Sequence, residues 1–309
     1  MVNKPPTIQE NIPLAPYTTL KIGGPAKYFV AAKTIAELQE AVAWANQEKL
    51  PYRLIGRGAN LLVSDNGFNG LIIHPENDQA QWNGDHVVVG AGVQNGQLIA
   101  SALQHGFGGM QWLIGVPGKV GGSLYGNAGG HGWGLGDQVV WVDVCVPDGT
   151  NKRLTKEDCA FAYRTSIFKH HPEWSIVQAE FIFPKVDPAE ERTLLAETTK
   201  QKNTNQPTTA KTAGCMFTNP TADLAKVPES LKQYVDAKGT ISAWRVIEEV
   251  GLKGFQLGDI QISDVHANFM INRGQGTADQ VMQLLSLIKQ KVRDELGIQL
   301  HEEIQYLGF

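Results

Sequence analysis

The chain has few cysteines, no long apolar runs and no excess of either charge. Its three cysteines, Cys145, Cys159 and Cys215, are odd in number and widely spaced. That excludes a disulfide framework and a cysteine-based zinc site. The eight histidines are scattered, without an H-x-x-x-H pair, so no metal is expected, and the adjacent His170 and His171 read as surface residues. No apolar run approaches the roughly 20 residues that span a bilayer, so no membrane partner is expected. With 27 basic against 31 acidic residues the net charge is -4, and no basic stripe marks a nucleic-acid face. The opening Met1-Val-Asn-Lys-Pro-Pro has neither an apolar stretch nor a cleavage signature. Together with the unpaired thiols, this predicts a cytoplasmic protein.

Glycine is abundant and clustered: 13 of the 33 glycines fall between Gly106 and Gly136. Glycine costs conformational entropy wherever it is ordered. Such a cluster is either a string of tight turns or a place where backbone N–H groups line a flat or anionic ligand such as a pyrophosphate.

At 309 residues the chain exceeds one ordinary core, and two or three domains are expected. A strand over 27–32, a helix opened by the capping box Thr34-Ile-Ala-Glu37 and ending near Lys49, and a strand over 52–55 make a βαβ-like opening. The loop Gly56-Arg57-Gly58-Ala59-Asn60 follows that second strand, where α/β sheets bind ligands. Its spacing is not G-x-G-x-x-G, so a Rossmann fold is not predicted. Short β-rich runs at 71–73, 86–89, 138–146 and 175–183, with the turn signal Asp148-Gly149, predict a strand-dominated α+β region. The polar stretch 198–212 reads as a loop between domains. Beyond it come a helix over 240–250, strands near 260–262 and 268–271, a helix from Thr277 to Gly297 on a 3.6-residue apolar period, and a last strand over 298–307.

Seven segments, in order, carry a resemblance. They are Thr19-Leu-Lys-Ile-Gly-Gly24, Gly56-Arg-Gly-Ala-Asn-Leu-Leu-Val63, and Gly115-Val-Pro-Gly-Lys-Val-Gly-Gly122 with Asn127-Ala-Gly129. They continue with Tyr163-Arg164-Thr-Ser166-Ile-Phe168, Ala213-Gly214-Cys215-Met-Phe217-Thr-Asn219-Pro220, His266-Ala-Asn268-Phe and Leu300-His-Glu-Glu303. The chain resembles the UDP-N-acetylenolpyruvoylglucosamine reductase family (UDP-N-acetylmuramate dehydrogenases). The short spacing from Arg164 to Cys215 is similar to its shorter type, which lacks an extra substrate-covering loop.

The resemblance implies an α+β protein with an FAD-binding fold of the vanillyl-alcohol-oxidase/PCMH type. Two flavin subdomains, 1–74 and 75–190, would precede a C-terminal α/β substrate-binding domain, 191–309. It implies non-covalent FAD and NADPH as the reductant, with an enolpyruvyl ether of a UDP-sugar as substrate. The protein would be a monomer or a weak homo-oligomer. FAD would be held by Gly56, Arg57, Gly58, Ala59, Asn60 and Leu61 of the first loop. Gly115, Pro117, Gly118, Lys119, Gly121, Gly122, Asn127 and Gly129 of the second would complete its site. Tyr163, Ser166 and Asn219 would contact substrate, Asn219 otherwise being a turn residue before Pro220.

Three residues would carry the chemistry. Arg164, read alone, is a salt-bridge former or a bidentate carboxylate binder, and the resemblance implies the latter. Glu303, read alone, is a solvated glutamate beside Glu302, and the resemblance makes it a group that stabilises or protonates an enolic intermediate. Cys215 stands where the family commonly has serine. The resemblance implies a proton donor to carbon here, a role that a thiol, with a reference pKa of about 8.5 and so a stronger acid than an alcohol, would fill, the other reading being a small buried cysteine. Lys119 replaces the usual threonine, Ala59 a serine and Thr218 a lysine. His266 is expected to order a strand entry. Two rivals remain: a sugar or alcohol oxidase on the same fold, often with covalent flavin although the 56–60 loop has neither His nor Cys, and a non-catalytic sugar-nucleotide-binding module.

Overall fold

The structure is a computed structural model that describes residues 4–5, 7–221 and 227–309. The chain divides into two compact units. The first holds Met1–Ile12, Ala26–Arg57 and Asn69–Lys202, and the second holds Pro13–Pro25, Gly58–Phe68 and Asn203–Phe309.

In the first unit, Gln9–Pro13, Pro25–Ala32, Phe68–Pro75 and Tyr52–Leu54 form a four-stranded sheet in that spatial order. Tyr52–Leu54 pairs in parallel with Leu71–Ile73. Helix Ile35–Gln47 buries Leu38, Val42 and Trp44 in a core with Val30, Leu71 and Ile73. The Thr34 hydroxyl accepts from Glu37 N, but the Glu37 carboxylate takes the N–H of Lys33, one residue outside the expected capping box. Lys49 adopts φ 55°, a left-handed conformation just past the helix end.

A second, five-stranded antiparallel sheet has the order Asn151–Thr155, Val139–Cys145, Ser175–Ile182, His86–Gly90, Ala80–Asn83. Val87 and Val89 point into its core, which also holds Val142, Phe168 and Phe181. Burial of each such side chain contributes about 1.5–3 kcal/mol. Gly149 (φ 85°) makes the predicted hairpin turn.

The stretch 198–212 departs from the expectation, because Pro188–Asn205 is one 18-residue helix. It has no apolar stripe, so periodicity could not reveal it. Local chemistry starts it: Pro188 needs no N–H partner in the first turn, and Asp187 Oδ1 accepts from Ala189 N and Glu190 N. Polar anchors then hold it. Glu191, 6% exposed, accepts from Gly109 N, and Lys202 Nζ donates to the carbonyls of Trp112 and Ile114.

In the second unit, Gln256–Leu257, Ile260–Ile262 and Met270–Asn272 form an antiparallel sheet. Helix Ala278–Leu296 packs Leu284, Leu285 and Ile288 in a core with Val246, Ile247, Ile260 and Ile262. The Thr277 capping box with Gln280 and the left-handed cap at Gly297 (φ 67°) are both formed. The last strand is shorter than expected. Only Gln305–Leu307 is regular, parallel to Leu61–Val63. Ile298, Leu300 and Ile304 are buried on alternation, but the backbone of 301–303 bonds singly to the 216–218 segment. Alternating burial therefore read as strand where no continuous ladder exists.

Candidate active site

The glycine-rich stretch separates into glycines the fold requires and glycines it does not. A Cβ on Gly121 would lie 2.9 Å from Ala91 Cβ, on Gly129 2.1 Å from Trp133 O, and on Gly134 2.5 Å from Asn127 Oδ1. Close packing explains these three. Gly115 and Gly132 have φ 70° and 83°, which explains them as turn residues. Gly122 and Gly130 have neither reason: a Cβ on either would meet nothing within 4 Å. Open space above bare backbone is the room a flat ring or a phosphate needs. Not every expected donor faces that space, since Gly121 N donates to Ala91 O and Val120 N to Val93 O. These two bonds dock the short helix Val120–Tyr125 onto residues 91–93.

The loop before that helix is fastened by a residue the sequence did not single out. Asn95, 1% exposed, donates from Nδ2 to Val116 O and accepts at Oδ1 from the Ser123 hydroxyl, while its N–H donates to Gly118 O. Pro117 and Gly118 are thereby held in place. Lys119, 9% exposed, turns its ammonium to Pro75 O (2.6 Å) and His74 Nε2 (3.0 Å). Arg57 Nη1 donates to Gln94 Oε1 at 3.2 Å. Asn127, in a left-handed conformation (φ 44°), donates to Ala162 O and accepts from Gly136 N.

Tyr163 and Arg164 are the two central residues of a tight turn. Ala162 and Thr165 exchange both backbone hydrogen bonds across it. Arg164 has φ 57°, which costs a non-glycine residue about 1–3 kcal/mol. Its Nη1 donates to Gly129 O at 3.1 Å, and its own carbonyl accepts from Lys169 Nζ at 2.7 Å. Glycine is the residue such a turn position favours, so arginine here carries a backbone cost that glycine would not. Tyr163 is 65% exposed, whereas Ser166 is 1% exposed and gives its hydroxyl to Tyr125 O. Lys202 belongs to the same neighbourhood. Burial, then the Arg164 charge, pulls its pKa below the ordinary lysine value.

In the second unit the residues 215–218 are clasped from two sides. Met216 N donates to Asn268 O, Glu303 N to Met216 O, and Thr218 N to His301 O. Asn268, 3% exposed, uses its amide on both Phe217 N and Phe217 O. This clasp brings Cys215 and Glu303 onto neighbouring backbones. Glu302 is occupied by Lys289 Nζ (2.9 Å) and Tyr306 Oη (2.7 Å), which separates it from Glu303. Asn60 Nδ2 donates to Glu303 O, and Asn60 O accepts from Gln305 N. Gly58 (φ 56°) lies against Tyr17 and Thr18, Ala59 O lies 3.8 Å from where a Gly214 Cβ would sit, and Leu61 pairs with Gln305. Asn219 Oδ1 accepts from Ala243 N, capping the helix Ala243–Glu249. His266 packs edge-on against Phe269, and burial pushes its pKa down to about 4.

Residues 26–155 match the model of an FAD binding domain. Residues 206–307 match that of the UDP-N-acetylenolpyruvoylglucosamine reductase C-terminal domain. The chain is 35% identical over 97% of both chains to the UDP-N-acetylenolpyruvoylglucosamine reductase of Solibacter usitatus. It belongs to that family. It is also 33% identical to the reductase of Bacillus licheniformis, over 97% of this chain and 94% of that one. The crystal structure of UDP-N-acetylenolpyruvylglucosamine reductase from Thermus caldophilus superposes with a TM-score of 0.77 at 31% identity, covering 97% of this chain and 98% of that chain. The fold is α+β, an FAD-binding domain joined to this family's C-terminal domain, and FAD is the cofactor of the family to which the chain belongs.

The open backbone over Gly122 and Gly130 fits a flavin ring or its pyrophosphate. Gly122→Val fills that space without disturbing a packed contact. It is expected to weaken FAD binding to the apoprotein by at least tenfold with little change in melting temperature, read by quenching of flavin fluorescence on titration.

Proposed function

We propose that this protein reduces the enolpyruvyl ether of UDP-N-acetylglucosamine to UDP-N-acetylmuramate. NADPH and a proton are consumed and NADP⁺ is released. The observation that carries the residue assignments is Arg164, held in a left-handed turn against Gly129 of the glycine stretch. FAD, which the two glycine loops would hold, would supply the hydride chemistry that links NADPH to the terminal carbon of the enolpyruvyl group.

The protein's own residues do the rest. As hydride arrives, electrons move from the double bond into the substrate carboxylate. Arg164, a fixed fork of donors, takes up that developing charge. Lys202 adds a second cation near Arg164. Cys215 gives its S–H proton to the middle carbon from one side, which sets the stereocentre. Glu303, fastened through Asn60 and Met216, stabilises the enolic form or supplies its proton. Tyr163 is an exposed contact for substrate. Ser166 and Asn219 act by shaping their loops in addition to any substrate contact, because the structure commits one side-chain atom of each to the backbone.

In this reading residues 1–74 and 75–190 share the flavin and 191–309 carry substrate. The compact unit with 203–309 also takes in 13–25 and 58–68. The protein acts in the cytoplasm, which three cysteines outside any disulfide and a nucleotide reductant support, and it acts as a monomer or weak homo-oligomer. Among the described residues no helix is long and apolar enough to cross a membrane.

The test separates the half-reactions. Anaerobic protein mixed with NADPH bleaches its flavin band, and the enolpyruvyl UDP-sugar then restores it. Bleaching without recovery leaves a flavoprotein with another acceptor. Rapid recovery with oxygen and release of peroxide marks an oxidase.

A further inference from the structure

A chain of side-chain contacts runs from the first glycine loop to the second within the first unit. His74, on the strand Phe68–Pro75, approaches Ile55 O at 2.7 Å through Nδ1. A carbonyl only accepts, so Nδ1 carries the proton and Nε2 presents its lone pair. That lone pair accepts from Lys119 Nζ at 3.0 Å, and Lys119 Nζ also donates to Pro75 O at 2.6 Å. Ile55 immediately precedes Gly56 and Arg57, and Lys119 immediately follows Gly118. A Cβ on Gly56 would lie 3.4 Å from Lys119 Cβ, so the lysine stem runs directly past the first loop. Lys119 also borders a cavity of about 430 Å³, together with Lys33, Glu76, Asp78 and Gln94.

We propose that Lys119 is a positioning residue that fastens the two glycine loops of the flavin site to each other through His74. The proposal rests on the reading that these loops hold the flavin. A threonine side chain at this position would be too short to span from the second loop to His74 and Pro75. Here the loops are joined before any ligand arrives, so less ordering remains for binding to drive. Lys119 uses two of its three N–H donors in the tie.

The tie depends on a neutral imidazole, because a doubly protonated ring has no lone pair for the ammonium. Burial, then the Lys119 charge, holds His74 below its ordinary 6.5. The groups facing it are the Ile55 carbonyl, Lys119, Glu76 and the stacked ring of Phe29. Around Lys119 stand Glu76, Asp78 and Arg57, with Lys33 on the same cavity. The sign follows from linkage. A histidine whose pKa is lowered in the fastened state takes up its proton more readily in the released state. The fastened state therefore loses ground as pH falls below about 6.5 toward the depressed value.

The experiment titrates apoprotein with FAD, read by flavin fluorescence, from pH 8 down to pH 5.5. Lys119→Thr is expected to bind FAD about tenfold more weakly at pH 8, the scale of one hydrogen bond to a charged group. Wild type is expected to lose affinity as pH falls, with a midpoint below 6.5. His74→Gln is the decisive variant. Its amide donates to Ile55 O and accepts from Lys119 without titrating, so it is expected to keep wild-type affinity at pH 8 and to lose the pH step. Wild-type affinity of Lys119→Thr at pH 8, or a full pH step in His74→Gln, overturns the proposal. Gly122→Val isolates the underlying reading: if it binds FAD normally, the glycine loops are not the flavin site. Melting curves of each apoprotein exclude loss of fold as the cause.

Discussion

Cys215→Ser is expected to retain turnover, while Cys215→Ala slows reoxidation of the reduced flavin by the enolpyruvyl substrate by about 10²–10⁴-fold, the range of a positioned general acid. The NADPH half-reaction should be unchanged in both, because no proton donor to carbon is needed when the flavin is reduced. The structure makes the comparison clean. Cys215 is partly exposed, and the bonds that Asn268 and Glu303 N make to the adjoining Met216 and Phe217 are to backbone groups. Removing the sulfur should therefore leave the clasp in place. Serine is the weaker acid, yet it puts an O–H where the S–H was. Stopped-flow absorbance of the two half-reactions distinguishes the outcomes. An alanine variant with wild-type reoxidation would show that Cys215 only fills space.

Arg164→Met should slow the same reoxidation step by about 10²–10³-fold, as loss of one preorganised stabiliser of developing charge does. A further variant separates chemistry from architecture. Arg164 occupies a left-handed turn position that glycine adopts without strain. Arg164→Gly is therefore expected to be as inactive as Arg164→Met and to melt no lower than wild type. If Arg164 were instead a residue fixing the loop, losing its bond to Gly129 O would lower the melting temperature of both variants. Their reoxidation rates would then stay near wild type. Arg164→Lys tests the fork itself, since an ammonium keeps the charge but not the bidentate geometry.

These two predictions concern residues 51 positions apart, Arg164 in the first unit and Cys215 in the second. The turn Ala162–Thr165 was visible only as the motif Tyr163-Arg164-Thr-Ser166. Its strain was not visible, because a left-handed arginine has the same letters as an extended one. Ser166 illustrates the reverse case. The motif implies a substrate contact, and the fold adds a bond from the buried hydroxyl to Tyr125 O that the letters do not show.

The amino-acid order by itself determined the local elements. Helix Ala278–Leu296 follows from Thr277, Gln280, a 3.6-residue apolar period and Gly297, all within one stretch of chain. Three strands of the five-stranded sheet, His86–Gly90, Val139–Cys145 and Ser175–Ile182, follow from short apolar runs, whereas the mostly exposed Ala80–Asn83 and Asn151–Thr155 carry no such signal. Only the tertiary structure decided the rest, because those outcomes depend on partners distant in sequence. Helix Pro188–Asn205 lacks an apolar stripe and holds its place through Gly109, Trp112 and Ile114, so its lysine at 202 was hidden in an apparent loop. The 298–304 segment alternates like a strand, yet the 216–218 backbone offers it only isolated bonds. Gly121 and Gly122 are adjacent and identical in sequence, and only the structure tells them apart, with Ala91 packed against the first and open space beside the second. His74 and Lys119 meet because a sheet and a loop converge, a distance that no local pattern encodes.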